Sequence, residues 1–282
     1  MPDPITSLQN ARVKNIVKLN NRRYRDATRL TVVEGVPEVE RALQNHIVPR
    51  EAYLCPPLLD DAAAAGLLVT LQTLAQSGAT QLFEVTPPVF AKMAYRGQSG
   101  GVLLLIPYFQ RALAELPLSA HPFLVVIEGG EKPGNLGAIL RTADAAGVDG
   151  VILSPNEDLG GTDIHNPNVI RASLGAVFTV PAAVAPTAQV ISWLRQHDIR
   201  TLATVPAAAK LYTSVAMNGP VALVMGSEAH GLSAEWLAAA DEHVAIPMFG
   251  RVDSLNLSVA TALLLYEVVR QRHTTNYTDF AA

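Results

Sequence analysis

The sequence predicts an α/β protein of two domains. Short apolar runs rich in Val, Ile and Leu alternate with longer amphipathic stretches along most of the chain. Its 282 residues are about twice a usual domain of roughly 150. From Tyr108 to Pro122 strand character is lost, and Pro107, Pro117 and Pro122 cluster there, so a linker is expected over residues 111–122. The domains are then 1–110 and 123–273, with a polar, frayed tail at 274–282.

In the first domain Ser7 caps a helix running to about Leu19, with Leu8, Val13, Ile16, Val17 and Leu19 on or near one face. Asn20-Asn21 interrupts it, and Leu30–Val33 reads as a strand closed by Glu34-Gly35. A helix from Pro37 to Asn45 follows, with proline at a tolerated first-turn position. Strands at Ala52–Cys55, Leu82–Val85 and Val102–Ile106 alternate with helices at Leu67–Gln76 and Pro88–Ala94. Gly97-Gln98-Ser99-Gly100-Gly101 has the letters of a nucleophile elbow, yet it leads from a helix into a strand, the wrong order, and is a turn.

The second domain restarts the alternation. Strands are expected at Phe123–Ile127, Val151–Leu153, Val177–Val180, Leu202–Val205, Val221–Met225 and Val244–Ile246. Their apolar, β-branched character suits a parallel sheet buried on both faces. Helices fall at about Leu136–Ala146, Val169–Leu174, Thr187–His197, Ala234–Ala240 and Leu255–Arg272. In open sheets of this kind ligands bind beyond the strand C-termini.

Composition narrows the function classes. Hydrophobic residues at 49% and charged residues at 16% fit a globular chain and exclude a disordered one. The longest apolar runs are far short of the ~18 residues that span a bilayer, and no secretory signal opens the chain. A lone Cys55 excludes an internal disulfide framework and a thiolate zinc site, and suits a reducing cytoplasm. The seven histidines show no ligand spacing, so no metal is expected. A cytoplasmic protein without a membrane segment is the expectation.

The net charge of −4 conceals an asymmetry. Arg12, Lys14, Lys18, Arg22, Arg23, Arg25 and Arg29 face only Asp26 in the Arg12–Arg29 stretch, which carries +6. Such a local basic run is either a footprint for a polyanion or a solvated helix face, and charge alone leaves the two level. No G-x-G-x-x-G follows any strand and no P-loop pattern exists, so ordinary dinucleotide and nucleoside-triphosphate sites lack support.

Three strand ends are rich in Gly, Asn and Ser. After the first strand of the second domain comes Glu131-Lys132-Pro133-Gly134-Asn135-Leu136-Gly137-Ala138-Ile139-Leu140-Arg141, where Asn135 can cap the helix. Arg141 falls near the same helix face as Gly137 and Asp144. After Met225 comes Gly226-Ser227-Glu228-Ala229-His230-Gly231-Leu232-Ser233, a loop whose amides can hold a polar ligand. After Ile246 comes Pro247-Met248-Phe249-Gly250-Arg251-Val252-Asp253-Ser254-Leu255-Asn256-Leu257-Ser258-Val259-Ala260. Each alone is explained by turn chemistry; three at the C-terminal edge of one sheet favour a shared site.

These segments resemble motifs one, two and three of the SpoU/TrmH family, the RNA ribose 2′-O-methyltransferases of the SPOUT superfamily. The likeness rests on Asn135, Gly137 and Arg141, on Gly226, Glu228, Gly231 and Leu232, and on Ile246 to Ala260. Asn166 to Ala176 resembles the intervening R-A-S-x-G-A segment. The resemblance covers Phe123 to about Arg272. Ile5–Leu43 is similar to the family's substrate-binding domain, a small α/β unit related to RNA-binding ribosomal proteins. Pro37 departs from it, standing where relatives often carry a basic residue.

The resemblance implies a C-terminal SPOUT domain with a parallel sheet and a deep trefoil knot, Gly226 and Gly250 letting backbones cross closely. It implies S-adenosylmethionine as cofactor, its adenine held by the Val205, Gly226, Ile246, Met248 and Leu255 regions; Ile246 and Leu255 serve equally as core. Methylation of a ribose 2′-hydroxyl follows, with Arg141 as the catalytic residue; the substantial N-terminal domain favours ribosomal RNA as the target, the alternatives being transfer RNA or a non-catalytic RNA-binding protein of the same fold. Ser254 and Asn256 orient phosphate, cofactor or Arg141, while Asn135 and Glu228 shape the pocket; loop fixation explains Glu228 as well. Arg12, Lys18, Arg22, Arg23 and Arg25 are the candidate RNA contacts, joined by Arg171, for which a structural ion pair is an equal account. A homodimer through the final helix is implied, although its Leu263, Leu264, Leu265, Tyr266, Val268 and Val269 read from sequence as intrachain core.

Overall fold

A computed structural model describes residues 3–59, 61–95, 100–155 and 161–273. Of the expected Gly97–Gly101 turn only Gly100 and Gly101 fall among them, both with positive φ (64° and 69°). The tail at 274–282 lies outside the described residues. The chain forms two compact units: Met1–Phe109 with Asp163–Thr179, and Gln110–Thr162 with Val180–Ala282.

The first unit begins with α1 (Ala11–Lys18), α2 (Arg22–Thr28), β1 (Leu30–Glu34), α3 (Val36–Gln44) and β2 (Glu51–Leu54). It continues with α4 (Asp61–Gln76), β3 (Gln81–Glu84), α5 (Pro87–Met93) and β4 (Val102–Pro107). The sheet runs β1-β4-β2-β3, with β4 antiparallel to both neighbours and β2 parallel to β3. Val13, Ile16, Leu19, Tyr53, Phe90 and Leu103 are fully buried in its core. The first helix starts later than the sequence suggests, because Asn10 rather than Ser7 supplies the cap, its side chain accepting from the Arg12 amide. Helix α2 was not anticipated: Asn20-Asn21 is only a junction, and the Asn21 carbonyl accepts the first bonds of a new helix.

Beyond β4, the Leu113 to Leu118 part of the expected linker packs into the second unit, where Leu116 is buried. There follow β5 (Phe123–Glu128), α6 (Pro133–Ala146) and β6 (Gly150–Ser154). The chain then contributes α7 (Pro167–Ala172) and α8 (Ala176–Thr179) to the first unit, where α7 packs on β1 and α8 on α3. Thr31 Oγ1 donates to the His165 carbonyl at 2.5 Å, and the Arg41 guanidinium donates to the Leu174 carbonyl. The strand expected at Val177–Val180 is therefore a helix. Gly175 turns the chain with φ 80°, and Phe178 packs edge-on against Phe109 at 4.9 Å, so this apolar run is buried without a sheet.

The remaining elements are β7 (Ala182–Val184), α9 (Thr187–Gln196), β8 (Arg200–Thr204), β9 (Lys210–Leu211), β10 (Val221–Met225), α10 (Ala234–Ala239), β11 (Glu242–Ala245) and α11 (Leu257–Arg272). The second sheet is parallel throughout, in the order β7-β6-β5-β10-β8-β11-β9. After β7 the chain returns to the other side of β5, which makes the β5/β10 boundary a topological switch point. At the end of α11 the Arg272 guanidinium donates to the carbonyls of His121, Pro122, Met217 and Gly219, and lies 5.0 Å from the Phe123 ring centroid. Helices α6 and α11 pack on each other, so the loops that precede them are neighbours.

Candidate active site

The loops that leave β8, β10 and β11 enclose a cavity of about 610 Å³ at the C-terminal edge of the second sheet. That size falls within the roughly 300–1,000 Å³ of small-molecule sites. Met225, Ile246, Met248, Leu255 and Leu257 make its wall apolar, while Ser227, Glu228, Asp253, Ser254 and Asn256 supply polar groups. The loop after β10 folds back on itself through paired hydrogen bonds between Ser227 and Gly231. A Cβ on Gly226 would lie 2.2 Å from the Gly231 carbonyl carbon, so only glycine permits this close passage.

One hydrogen-bonded ring ties together the segments that follow β5, β10 and β11. Asn256 Nδ2 donates to Asn135 Oδ1 at 3.1 Å and to Glu228 Oε1 at 2.8 Å. Asn135 Nδ2 donates to Glu131 Oε2 at 3.2 Å, and the other Glu131 oxygen accepts from the Glu228 amide at 2.8 Å. Asn256 Oδ1 caps α11, accepting from the Ser258 amide and hydroxyl. The helix therefore begins at Leu257, two residues later than the sequence suggests. Asn135 caps nothing: it sits inside the first turn of α6, whose cap position is Lys132. The Leu257 amide, then Asn135 and Lys132, hold the Glu228 carboxyl below the usual carboxylate range, so it is an anion at neutral pH.

Gly226, Ile246, Met248 and Leu255 line the cavity as the sequence suggests. Val205 is not in the lining; its amide pairs with the Val244 carbonyl, and its neighbours Thr204 and Pro206 face the space instead. Gly250 meets nothing within 4 Å at its would-be Cβ, so no close crossing needs it. Arg141 is exposed on α6 and outside the cavity lining. Glu131, to which sequence reasoning gave no role, is the residue it missed; the available signal was a carboxylate four residues before Asn135.

In the first unit the basic run is divided. Lys18, Arg22 and Arg23 are exposed, Arg22 near Asp26 at 3.6 Å. Arg12 is half-buried, paired with Glu51 and stacked 4.3 Å from the Phe83 centroid. Arg25 is 2% exposed, paired with Asp163 and donating to the Leu19 carbonyl at 2.6 Å. It is a core ion pair and unavailable to RNA, because the one inward-facing position of α2 falls on it. Arg171 bonds Asn168 at 3.3 Å, and its Nε is buried without a partner.

Among the described residues no cluster of three or more His, Cys, Asp or Glu is arranged to hold a metal, and no helix is long and apolar enough to cross a membrane. The SpoU rRNA methylase family profile matches residues 122–266, and that of the MRM3-like substrate binding domain residues 10–104. The 23S rRNA (guanosine-2′-O-)-methyltransferase RlmB of Yersinia pestis is 41% identical over 54% of this chain and 60% of its own length. The chain thus spans about 60% of the length of the curated relatives it matches. A crystal structure described as an RNA 2′-O ribose methyltransferase is 40% identical, with a TM-score of 0.77 over 96% of this chain and 99% of its own. The rRNA methyltransferase of Sinorhizobium meliloti, solved with AdoMet bound, is 32% identical with a TM-score of 0.83, covering 97% of this chain and 99% of its own. With both segments matched and the fold shared almost end to end, this chain belongs to the SpoU rRNA methylase family.

Proposed function

We propose that this chain transfers a methyl group from S-adenosylmethionine to a ribose 2′-hydroxyl of structured RNA, ribosomal rather than transfer RNA. The observation that carries the proposal is the cavity at the ends of β8, β10 and β11, lined by the second and third motif loops and tied to the first through the Asn256–Asn135 hydrogen bond. Its residues fit the cofactor: Met225, Ile246, Met248 and Leu255 offer apolar walls for a purine, and Ser227, Asp253 and Ser254 offer polar groups for the ribose and amino-acid ends. The ribosomal preference is supported by the RlmB relatives, which are named for 23S rRNA.

The bound sulfonium supplies an already activated methyl group, so the protein's task is alignment and management of the hydroxyl proton. Asn135, Glu228 and Asn256 hold the loops in register through their ring, and Ser254 lines the cavity beside them. Glu228 is an orienting anion, because its oxygens are committed to Asn256, the Leu257 amide and Lys132. Arg141 is assigned to catalysis by the family likeness, as base for the 2′-hydroxyl or by gripping phosphate or the developing 2′-oxyanion through its planar fork. Lys18, Arg22 and Arg23 contact RNA phosphates. The exposed Val259, Leu263 and Tyr266 of α11, on one helix face, support a homodimer; Leu264, Leu265 and Val268 are core. A trefoil knot and a cytoplasmic location belong to the same proposal.

Incubation with methyl-labelled S-adenosylmethionine and ribosomal or transfer RNA, followed by alkaline hydrolysis, tests it. Label in an alkali-resistant dinucleotide from ribosomal RNA is expected. Label released as a mononucleotide would identify a base methyltransferase, and absence of label with both RNAs would overturn the proposal.

A further inference from the structure

We propose that Glu131 is a positioning residue for methyl transfer, setting which way the Asn135 and Asn256 amides point across the ring; this rests on the function proposed above. An amide side chain presents a donor at one end and an acceptor at the other, and its sense is decided by its partners. A carboxylate accepts only, so the Asn135 end that meets Glu131 Oε2 at 3.2 Å is Nδ2. Asn135 Oδ1 is thereby turned to face Asn256 and requires a donor there, which Asn256 Nδ2 supplies at 3.1 Å. The same Nδ2 donates to Glu228 Oε1 at 2.8 Å, which leaves Asn256 Oδ1 free to cap α11 through Ser258.

Glu131 thus fixes a directional chain that starts in the loop before α6 and ends at the cap of α11, beside Ser254. Its second oxygen accepts from the Glu228 amide at 2.8 Å, so one carboxylate orients motif one and pins the backbone of motif two. Glu131 is itself held, its amide donating to Thr162 Oγ1 at 2.8 Å and that hydroxyl donating to the Gly129 carbonyl at 3.2 Å. It does not line the cavity, so it acts on substrate and cofactor only through Asn135, Asn256 and the Glu228 backbone.

Replacing the carboxylate by an amide of the same shape reverses one end of the chain. In Glu131→Gln a donor faces either the Glu228 amide or Asn135 Nδ2. If Asn135 turns over to accommodate it, its Nδ2 meets Asn256 Nδ2, and Asn256 must break either that contact or its cap. The full-length protein is compared with Glu131→Gln and Glu131→Asp in single-turnover methylation of ribosomal RNA, calorimetric S-adenosylmethionine binding and thermal melting. Asn-selective ¹⁵N spectra of the side-chain amides complete the set.

For Glu131→Gln the methylation rate at saturating RNA should fall about 10–100-fold, as for a misplacement of order 1 Å. Cofactor affinity should hold within about threefold and the melting midpoint within about 2 °C. The Asn135 and Asn256 amide signals should shift, and Glu131→Asp, which keeps the accepting charge, should recover part of the rate. A rate within about twofold of wild type, or unshifted amide signals, would overturn the proposal. So would a parallel loss of rate, cofactor affinity and melting midpoint, which would mark Glu131 as merely structural. Wild-type protein that binds the cofactor and gives these amide shifts on substitution, yet methylates no RNA, would overturn the proposed function and with it the positioning role, while leaving the ring itself intact.

Discussion

The three motif segments and the basic run Arg12–Arg29 use their polar side chains in opposite ways. In the motif segments, Asn135, Glu228 and Asn256 come from separate stretches of sequence and close on one another, as their motif membership implies. In the basic run, neighbours in sequence part company: Arg22 and Arg23 face solvent, while Arg25 is buried on Asp163 and Arg12 pairs with Glu51. A motif specifies different residue types at fixed spacing and so encodes geometry. A charge run encodes only composition, and a single helical turn decides which members remain available to a ligand.

The sharpest way to break that comparison is Arg25→Ala. It removes a buried guanidinium and leaves the largely buried Asp163 carboxylate without that partner, and breaking such a pair costs about 3–5 kcal/mol. Denaturant unfolding should show a loss of that order for Arg25→Ala; a stability near wild type, with weakened RNA binding instead, would return Arg25 to the surface. Next comes Gly226→Ala against Gly250→Ala. The first forces a Cβ to 2.2 Å from the Gly231 carbonyl carbon, while the second meets nothing within 4 Å. An overpacking cost of about 1–3 kcal/mol should cut cofactor affinity about 5–150-fold for Gly226→Ala. Gly250→Ala should bind as wild type does. Equal calorimetric affinities for the two variants would sever the link between loop closure and the site.

A smaller effect comes from acid. Burial, and then the charge of Arg29, hold His165 at a pKa of about 3, against an ordinary value of about 6.5. The ring is stacked 3.5 Å from Tyr108 and buried, and its Nε2 accepts from the Phe109 amide at 3.4 Å. Below pH 6.5 the unfolded chain takes up a proton that the folded chain refuses. This contribution to stability is complete above pH 6.5 and falls as the pH drops towards 3, by at most about 1.4 kcal/mol per unit. Unfolding curves at pH 7, 6 and 5 should show the slope, and His165→Phe should flatten it; an unchanged slope would mean another group is responsible. The smallest effect on stability belongs to Arg22→Gln with Arg23→Gln, within about 0.5 kcal/mol. RNA affinity should nonetheless fall, and the salt dependence should lose about two counterions. Filter binding at several salt concentrations that gave an unchanged slope would make these side chains a solvated face.

Much of the second unit was legible because its strands are continuous β-branched runs buried on both faces, and because the motif residues sit at strand ends. The N-terminal helices were less so: the cap moved from Ser7 to Asn10, and α2 is short, with its apolar face replaced by the aliphatic stem of a buried arginine. The Val177–Val180 run was misjudged because hydrophobicity reports burial without saying what covers it, and here α3 and Phe109 do so in place of a sheet. Within the site, Gly226, Glu228 and Asn256 were legible as motif members. Glu131 was not, since its role exists only through contacts with Asn135 and the Glu228 amide, the latter 97 residues away.

The order in which a ribosome makes this chain now matters. Asp163 emerges 138 residues after Arg25, so at roughly 5–20 residues per second the arginine waits roughly 7–28 s for its counter-charge. During that interval Thr31 also lacks the His165 carbonyl, and the faces of β1 and α3 that α7 and α8 later cover are bare. The N-terminal unit therefore cannot mature before the first strands of the next one are synthesised. Its folding is interleaved with that of its successor, and a nascent chain stalled before Thr179 exposes an unfinished apolar surface to whatever chaperone attends the exit tunnel.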